Sequence, residues 1–429
     1  MEQRKSTARL LLPALGLCLV SLAVADLAAK DVPKGFPVGP WFLAPSFSSF
    51  YGVDDNPFLD SDNEETKTDR IEKLTGEFLA SLPFRNSLLE LEYSASKRSY
   101  DVNEFPSDLT QKGEFGLVLK FRSGDTLALR DVYRDDFARS RQIETGDDIA
   151  FEGVRVFEPE PYTINRWEVE LARNNPRRKG YLVRLRRQDF VYKGKSDLDF
   201  FDYRGFVTVL EYRQPLSNHR RWVVRYAARR FDHYESRCTD RDPNTPGDQP
   251  CVVDVGVPFR KELSDSVELG LMGKLGDRQP FVARLGYTSF RYDGMSLSGF
   301  RGIVGHAAWR LVLGDHTDLE LAATRRALPS NTLSYYINNA VRAKIERKWL
   351  RFEGSAELDY DYNNYAATIL GCSGSERRDS TYEAELKWSW RVHERFKFKI
   401  SAYHTNRRST CENSEFQATG LGTGIALGW

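Results

Sequence analysis

The chain has 429 residues, 41% hydrophobic and 13% aromatic, with 62 basic and 61 acidic side chains. A balance this close to neutral argues against a nucleic-acid partner, because phosphate binding needs a basic surplus. Mean hydropathy is -0.52 and no long apolar run follows residue 24, which excludes transmembrane helices; a barrel stays open, since its strands carry lipid and water faces in alternation.

Residues 1–25 read as a secretory signal peptide: Arg4, Lys5 and Arg9, an apolar run from Leu10 to Val24, and Ala23-Val24-Ala25 as the cleavage site. The apolar core is too short to span a bilayer. Cys18 does not mark a lipid anchor, because Leu17 before it is too large for that processing. Cleavage removes three basic residues and one acidic residue, leaving 59 against 60. Residues 26–40, with Pro33, Pro37 and Pro40, are expected to form a periplasmic lead-in.

From residue 41 to residue 429 the pattern is period two. Trp41 to Tyr51 is the first predicted strand, followed by a long acidic loop. In Glu72–Leu82, Leu74, Phe78, Ala80 and Leu82 oppose Lys73, Thr75, Glu77 and Ser81. In Leu88–Ser96, Leu89, Leu91 and Tyr93 oppose Glu90 and Glu92. The alternation continues through Phe115–Phe121 against Glu114 and Lys120, and Trp167–Leu171 against Glu168 and Glu170. Tyr181–Leu185 then opposes Arg184 and Arg186, Trp222–Ala228 opposes Arg225 and Arg229, and Tyr382–Trp390 opposes Glu383 and Glu385. Charge on one face and bulk on the other is the signature of a strand between oil and water. Short connections, near Pro83, Gly124, Pro176, Pro215, Gly276, Gly314, Lys348 and Glu394, alternate with long polar ones.

The last segment, Thr419–Trp429, carries Leu421, Ile425, Leu427 and Trp429 on one parity and Gly422, Gly424, Ala426 and Gly428 on the other. It reads as a closing strand, greasy outside and bare inside, and it resembles the final strand of bacterial outer-membrane barrels, which the barrel assembly machinery also reads. The predicted fold is all-β: a transmembrane antiparallel up-and-down β-barrel of about 18 strands with short periplasmic turns and long extracellular loops.

Four cysteines follow the signal peptide. Cys238 and Cys251 fall in one long loop and Cys372 and Cys411 in two neighbouring ones, so two loop disulfides are expected, each worth a few kcal/mol on a chain-entropy estimate. Zinc is disfavoured, because the spacing is not CxxC and no histidine clusters with them. No metal or cofactor is expected. The acidic run Asp54, Asp55, Asp60, Asp62, Glu64 and Glu65 offers calcium-type oxygen ligands but has no fixed ligand spacing, and a solvated loop accounts for it.

Catalysis is not expected. HExxH is absent, GMSLSG at residues 294–299 misses the nucleophile elbow by one position, and GLGTG at 420–424 precedes no helix. The one enzymatic alternative is a barrel-embedded hydrolase using His306 with a nearby hydroxyl or carboxylate. The informative residues are instead the inward charges: Glu90 and Glu92 early, Lys120, Arg130, Arg184, Arg186, Arg225, Arg229 and Arg284 in the middle, and Glu353, Glu357, Glu383 and Glu385 late. They would make either a lumen with a basic wall facing an acidic one, or cross-strand ion pairs such as Glu168 and Glu170 with Arg184 and Arg186.

Two passages, GVDDNPF (Gly52–Phe58) leading to LPF (Leu82–Phe84), and Arg325–Trp349, resemble the outer-membrane β-barrel porins of exopolysaccharide-biosynthesis operons. That resemblance implies a non-enzymatic conduit for, or support of, polysaccharide export, working with periplasmic export components in a membrane of lipid and lipopolysaccharide. It supplies no catalytic residues. A general diffusion porin for small solutes is the alternative.

Overall fold

The computed structural model describes residues 35–55, 68–101, 108–138, 142–144, 150–152, 160–173, 178–192, 203–233, 261–276, 278–293, 299–329, 335–366, 377–411 and 415–428. Its elements are all strands. The first six are β1 (Phe36–Val38), β2 (Trp41–Asp54), β3 (Asp69–Phe84), β4 (Ser87–Tyr100), β5 (Asp108–Lys120) and β6 (Asp125–Ala138). There follow β7 (Gln142–Glu144), β8 (Ala150–Glu152), β9 (Glu160–Arg173), β10 (Gly180–Tyr192), β11 (Tyr203–Pro215), β12 (Arg220–His233) and β13 (Lys261–Leu275). The last eight are β14 (Gln279–Asp293), β15 (Phe300–Val312), β16 (Thr317–Pro329), β17 (Tyr335–Trp349), β18 (Phe352–Tyr365), β19 (Arg378–His393), β20 (Phe396–Ser409) and β21 (Phe416–Gly428).

Leaving aside the short β1, β7 and β8, the strands pair antiparallel in chain order, β6 with β9, and β2 pairs with β21 from Ser46↔Gly428 to Asp54↔Gly420. The result is a closed barrel of 18 strands. Closure leaves no sheet edge in hydrocarbon, where an unpaired backbone group would cost several kcal/mol. The short connections lie where the proline and glycine pattern placed them, at 85–86, 121–124, 216–219 and 313–316 for example, and the strand ends that the long ones join are at the opposite rim.

Three features were not read from the sequence. Phe36–Val38, inside the expected periplasmic lead-in, folds back as β1 on β2, with Phe36↔Leu43 and Val38↔Trp41 and the turn at Gly39 (φ +60). The long connection between β6 and β9 contains the β7–β8 hairpin, and β8 meets β16, seven strands round the wall from β9. The ladder between β15 and β16 stops short, as described below.

The outer face is apolar. Leu285 is 64% exposed, Leu358 61%, Leu421 59% and Leu386 58%, values that only a lipid-facing wall makes reasonable. Stacked rings of Phe352, Trp388 and Trp390 (centroids 5.6 and 6.0 Å) and the Arg347 guanidinium 4.6 Å over Trp349 gather near the short-turn rim. That is the amphipathic chemistry of a membrane interface.

The closing strand shows why its inner parity is bare. Leu421, Ile425 and Leu427 face outward, while a Cβ on Gly422 would run into the Phe50 ring and one on Gly420 into the Tyr403 ring. The two rings lie over the glycine face, and the Tyr403 hydroxyl donates to Asp54, tying β20 to β2 across β21. Gly422→Val should therefore force the Phe50 ring off its site and cost about 1–3 kcal/mol, the usual overpacking cost. Urea unfolding in micelles measures it, and an unchanged midpoint would mean the ring relocates freely. Trp429 lies outside the described residues.

Candidate functional site

The site is the inner wall, and strand register decides which side chains reach it. The β9–β10 register pairs Arg184↔Glu170 and Arg186↔Glu168 on the inward parity. Arg184 Nη2 lies 2.6 Å from Glu170 and Arg184 Nε 3.5 Å from Glu168, while Arg186 Nη2 is 2.7 Å from Glu168. Farther round, Arg213 Nε is 2.6 Å from Glu211, Arg225 Nη1 3.1 Å from Glu268, and Arg284 reaches both Glu268 (3.2 Å) and Glu211 (3.5 Å). These charges form a ladder between β9 and β14 in two groups of mixed-sign pairs, one on β9–β10 and one from β11 to β14. Side-chain exposure is only 2% and 4% for Arg213 and Glu211, and 3% and 4% for Arg184 and Glu170. They are neighboured on the same face by an apolar cluster of Ala172, Leu182, Val207, Val209 and Ala227. This wall is packed rather than water-lined.

A second ladder lies on β4–β6, where Lys112 sits 2.8 Å from Glu92 and 3.0 Å from Glu114, and Arg130 lies 2.7 Å from Glu114. A third spans β17–β18. Arg342 Nε is 3.3 Å from Glu357 and is paired with Asp359, and Lys344 is 2.8 Å from Glu346. At the rim where long loops meet β19 and β20, Asp379 holds Arg377, Arg407 and the Ser409 hydroxyl.

Register puts every charge singled out from the sequence on the inner face: Glu90, Glu92, Lys120, Arg130, Arg184, Arg186, Arg225, Arg229, Arg284, Glu353, Glu357, Glu383 and Glu385. Contacts among them are mostly mixed-sign pairs rather than one basic wall against one acidic wall. Ser81 donates to Glu90 at 3.5 Å. Glu353 lies 3.5 Å from Arg391 and 3.7 Å from Lys397, and Glu385 2.7 Å from Lys387. Sequence reading passed over Arg213, Glu211, Glu268, Arg342 and the Asp379 hub. Glu211 and Arg213 share an inward parity with Val207 and Val209, and that mixed face hid them.

His306 faces inward with Nδ1 3.0 Å from the Thr324 hydroxyl. No carboxylate is hydrogen-bonded to its ring among the described residues. Among the described residues no group of three or more His, Cys, Asp or Glu is placed to hold a metal. Cys411 is buried and disulfide-bonded, whereas Cys238, Cys251 and Cys372 lie outside the described residues. So do Asp60, Asp62, Glu64 and Glu65, and Asp54 is taken by Tyr403.

No family model matches the chain, and no curated protein matches it. Its fold is similar to that of the outer membrane protein opdK from Pseudomonas aeruginosa, with TM-score 0.50 and 10% identity over 90% of this chain and 99% of that one. The chain is a bacterial outer-membrane β-barrel. OccAB3 of Acinetobacter baumannii (TM-score 0.47, 12% identity, covering 91% of this chain and 100% of that one) is a further solved structure with some likeness. The FrpB iron transporter of Neisseria meningitidis is another (TM-score 0.44, 7% identity, covering 94% of this chain and 83% of that one). The barrel has an apolar exterior and a charged interior.

Proposed function

We propose that this barrel is a dedicated, non-enzymatic conduit, closed at rest, that takes part in moving an exopolysaccharide across the outer membrane. The observation that carries the closed state is the burial of the β9–β14 ladder: a free-diffusion pore keeps its charged lining in water, and here Arg213, Glu211, Arg184 and Glu170 are almost wholly covered. The β7–β8 hairpin meeting β16 adds to it. The polymer is inferred from the resemblance carried by Gly52–Phe58, Leu82–Phe84 and Arg325–Trp349, as are periplasmic export components as partners. Arg–carboxylate ladders suit a hydrated chain, since opening a pair exposes donors and acceptors for hydroxyls in one step. A Cys372–Cys411 bridge would tie the loop after β18 to the loop after β20, next to the Asp379 hub.

The test is single-channel recording in planar bilayers. Wild-type protein should be mostly closed. Glu211→Ala strips the shared carboxylate from Arg213 and Arg284, and should raise open probability about tenfold or more and favour anions, since tenfold needs only about 1.4 kcal/mol. Steady wide conductance of the wild type would instead establish the second reading, a general diffusion porin for small solutes. Deleting the gene should abolish surface polysaccharide while its synthesis continues inside; unchanged secretion would remove the polymer from the proposal.

A further inference from the structure

The register between β15 and β16 runs from Val312↔Asp318 up to Gly305↔Arg325 and ends there. Both strands continue toward the long-loop rim on their other sides, β15 with β14 as far as Phe290↔Phe300, and β16 with β17 as far as Pro329↔Tyr335. The outer-leaflet half of the wall therefore has a seam, with Phe300–Val304 on one lip and Arg326–Pro329 on the other. In lipid such a gap is costly unless other groups occupy it. Gly302 and Gly305 lie within β15, and glycine within a strand weakens it or marks a close approach.

Two kinds of group stand in the gap. The Arg325 Nε donates to the Ile303 carbonyl at 3.2 Å, a side chain where a ladder bond would be, and its Nη1 donates to Asn339 Oδ1 at 2.7 Å. The second is apolar. Phe290, Phe300 and Val304, on the inner parity, form one cluster with Ala327 on the outer parity, and Tyr335 and Ile337 pack against it. Apolar surface thus runs through the wall, which a regular strand pair does not allow because its two faces are separated by the ladder.

On the outside of the seam, Ile303 is 59% exposed and is flanked by exposed Arg301 and Arg325. Neither arginine is paired with a carboxylate among the described residues, unlike Arg291 on β14, which lies 3.3 Å from Asp265. Two guanidinium groups beside the exposed Ile303, at the depth of the outer leaflet, match an anionic head joined to acyl chains.

We propose that the β15–β16 seam binds one phosphorylated, acylated lipid of the outer leaflet, with an acyl chain against the outward Ile303 and Ile337 and a head phosphate between Arg301 and Arg325. The lipid would complete the wall where the ladder does not, and the inference stands whichever solute the lumen carries.

The test is native mass spectrometry of the detergent-solubilised barrel with bisphosphorylated lipid A. A single-lipid adduct is expected, with half-saturation raised about tenfold or more by Arg301→Gln/Arg325→Gln and by removing the lipid's phosphates. Arg378→Gln/Arg408→Gln, an outward pair on β19 and β20, should leave it unchanged. Amide exchange of wild-type protein gives a reading independent of the variants. Segments 300–304 and 326–329 should exchange faster than 307–312 and 319–323, and lipid A should protect them while inorganic phosphate alone should not. Equal losses in the two double variants, no adduct, or seam amides that are slow without lipid would each overturn the proposal.

Discussion

Asp379→Ala is expected to destabilise the barrel by about 3–5 kcal/mol, the cost of leaving a buried charge without its partner. Asp379 is fully buried and accepts from Arg377 Nε at 2.9 Å and from the Ser409 hydroxyl at 2.5 Å, with an Arg377 Nη2 contact at 2.7 Å and Arg407 on its other side. Neither guanidinium has an easy route to water: Arg407 is 3% exposed, and Arg377 stacks over the Tyr365 ring at 4.6 Å. Removing the carboxylate takes a shared partner from two cations at the rim where β19 and β20 meet their loops. Asp379→Asn keeps the shape and some hydrogen bonds, so its cost should be smaller. Equilibrium urea unfolding in phospholipid vesicles, followed by tryptophan fluorescence, reads both. A loss under about 1 kcal/mol would mean that water reaches the hub and that its pairs behave as surface pairs.

Leu285→Arg should cost about 2–4 kcal/mol, the range for a cation at the bilayer midplane on a barrel's lipid face. Leu285 lies midway along β14, 64% exposed, with Leu269 and Gly305 beside it in register. In water an exposed leucine is replaced almost freely; in hydrocarbon the guanidinium has no partner. Leu313→Arg is the control. That residue is 50% exposed but sits in the 313–316 turn, where the cost should fall to about 0–1 kcal/mol as expected near the interface. Equal costs at the two depths would show that the apolar face does not lie in a membrane.

The alternation was legible because each strand is read one residue at a time. Trp222, Val224 and Tyr226 against Arg225 needs no partner strand to interpret, and neither does Leu421, Ile425 and Leu427 against three glycines. The Arg184–Glu170 and Arg186–Glu168 pairs were legible for a related reason, since β9 and β10 form a hairpin and its connection sets which residues face each other. Contacts that skip strands were not. Arg284 on β14 reaches Glu211 on β11, three strands away, only because the wall curves and both long side chains lie along it. The β15–β16 seam was hidden too, because each strand is regular on its other side.

The sequence by itself determined that this protein is an 18-strand outer-membrane barrel and which parity of each strand meets lipid, since period-two patterning is a local property of the chain. Tertiary structure alone decided that the inner charges collapse into buried ladders, that β1 folds back on β2, that β8 meets β16, and that the wall parts above Gly305. Those outcomes depend on curvature and on contacts between residues far apart in the chain, which no single strand encodes.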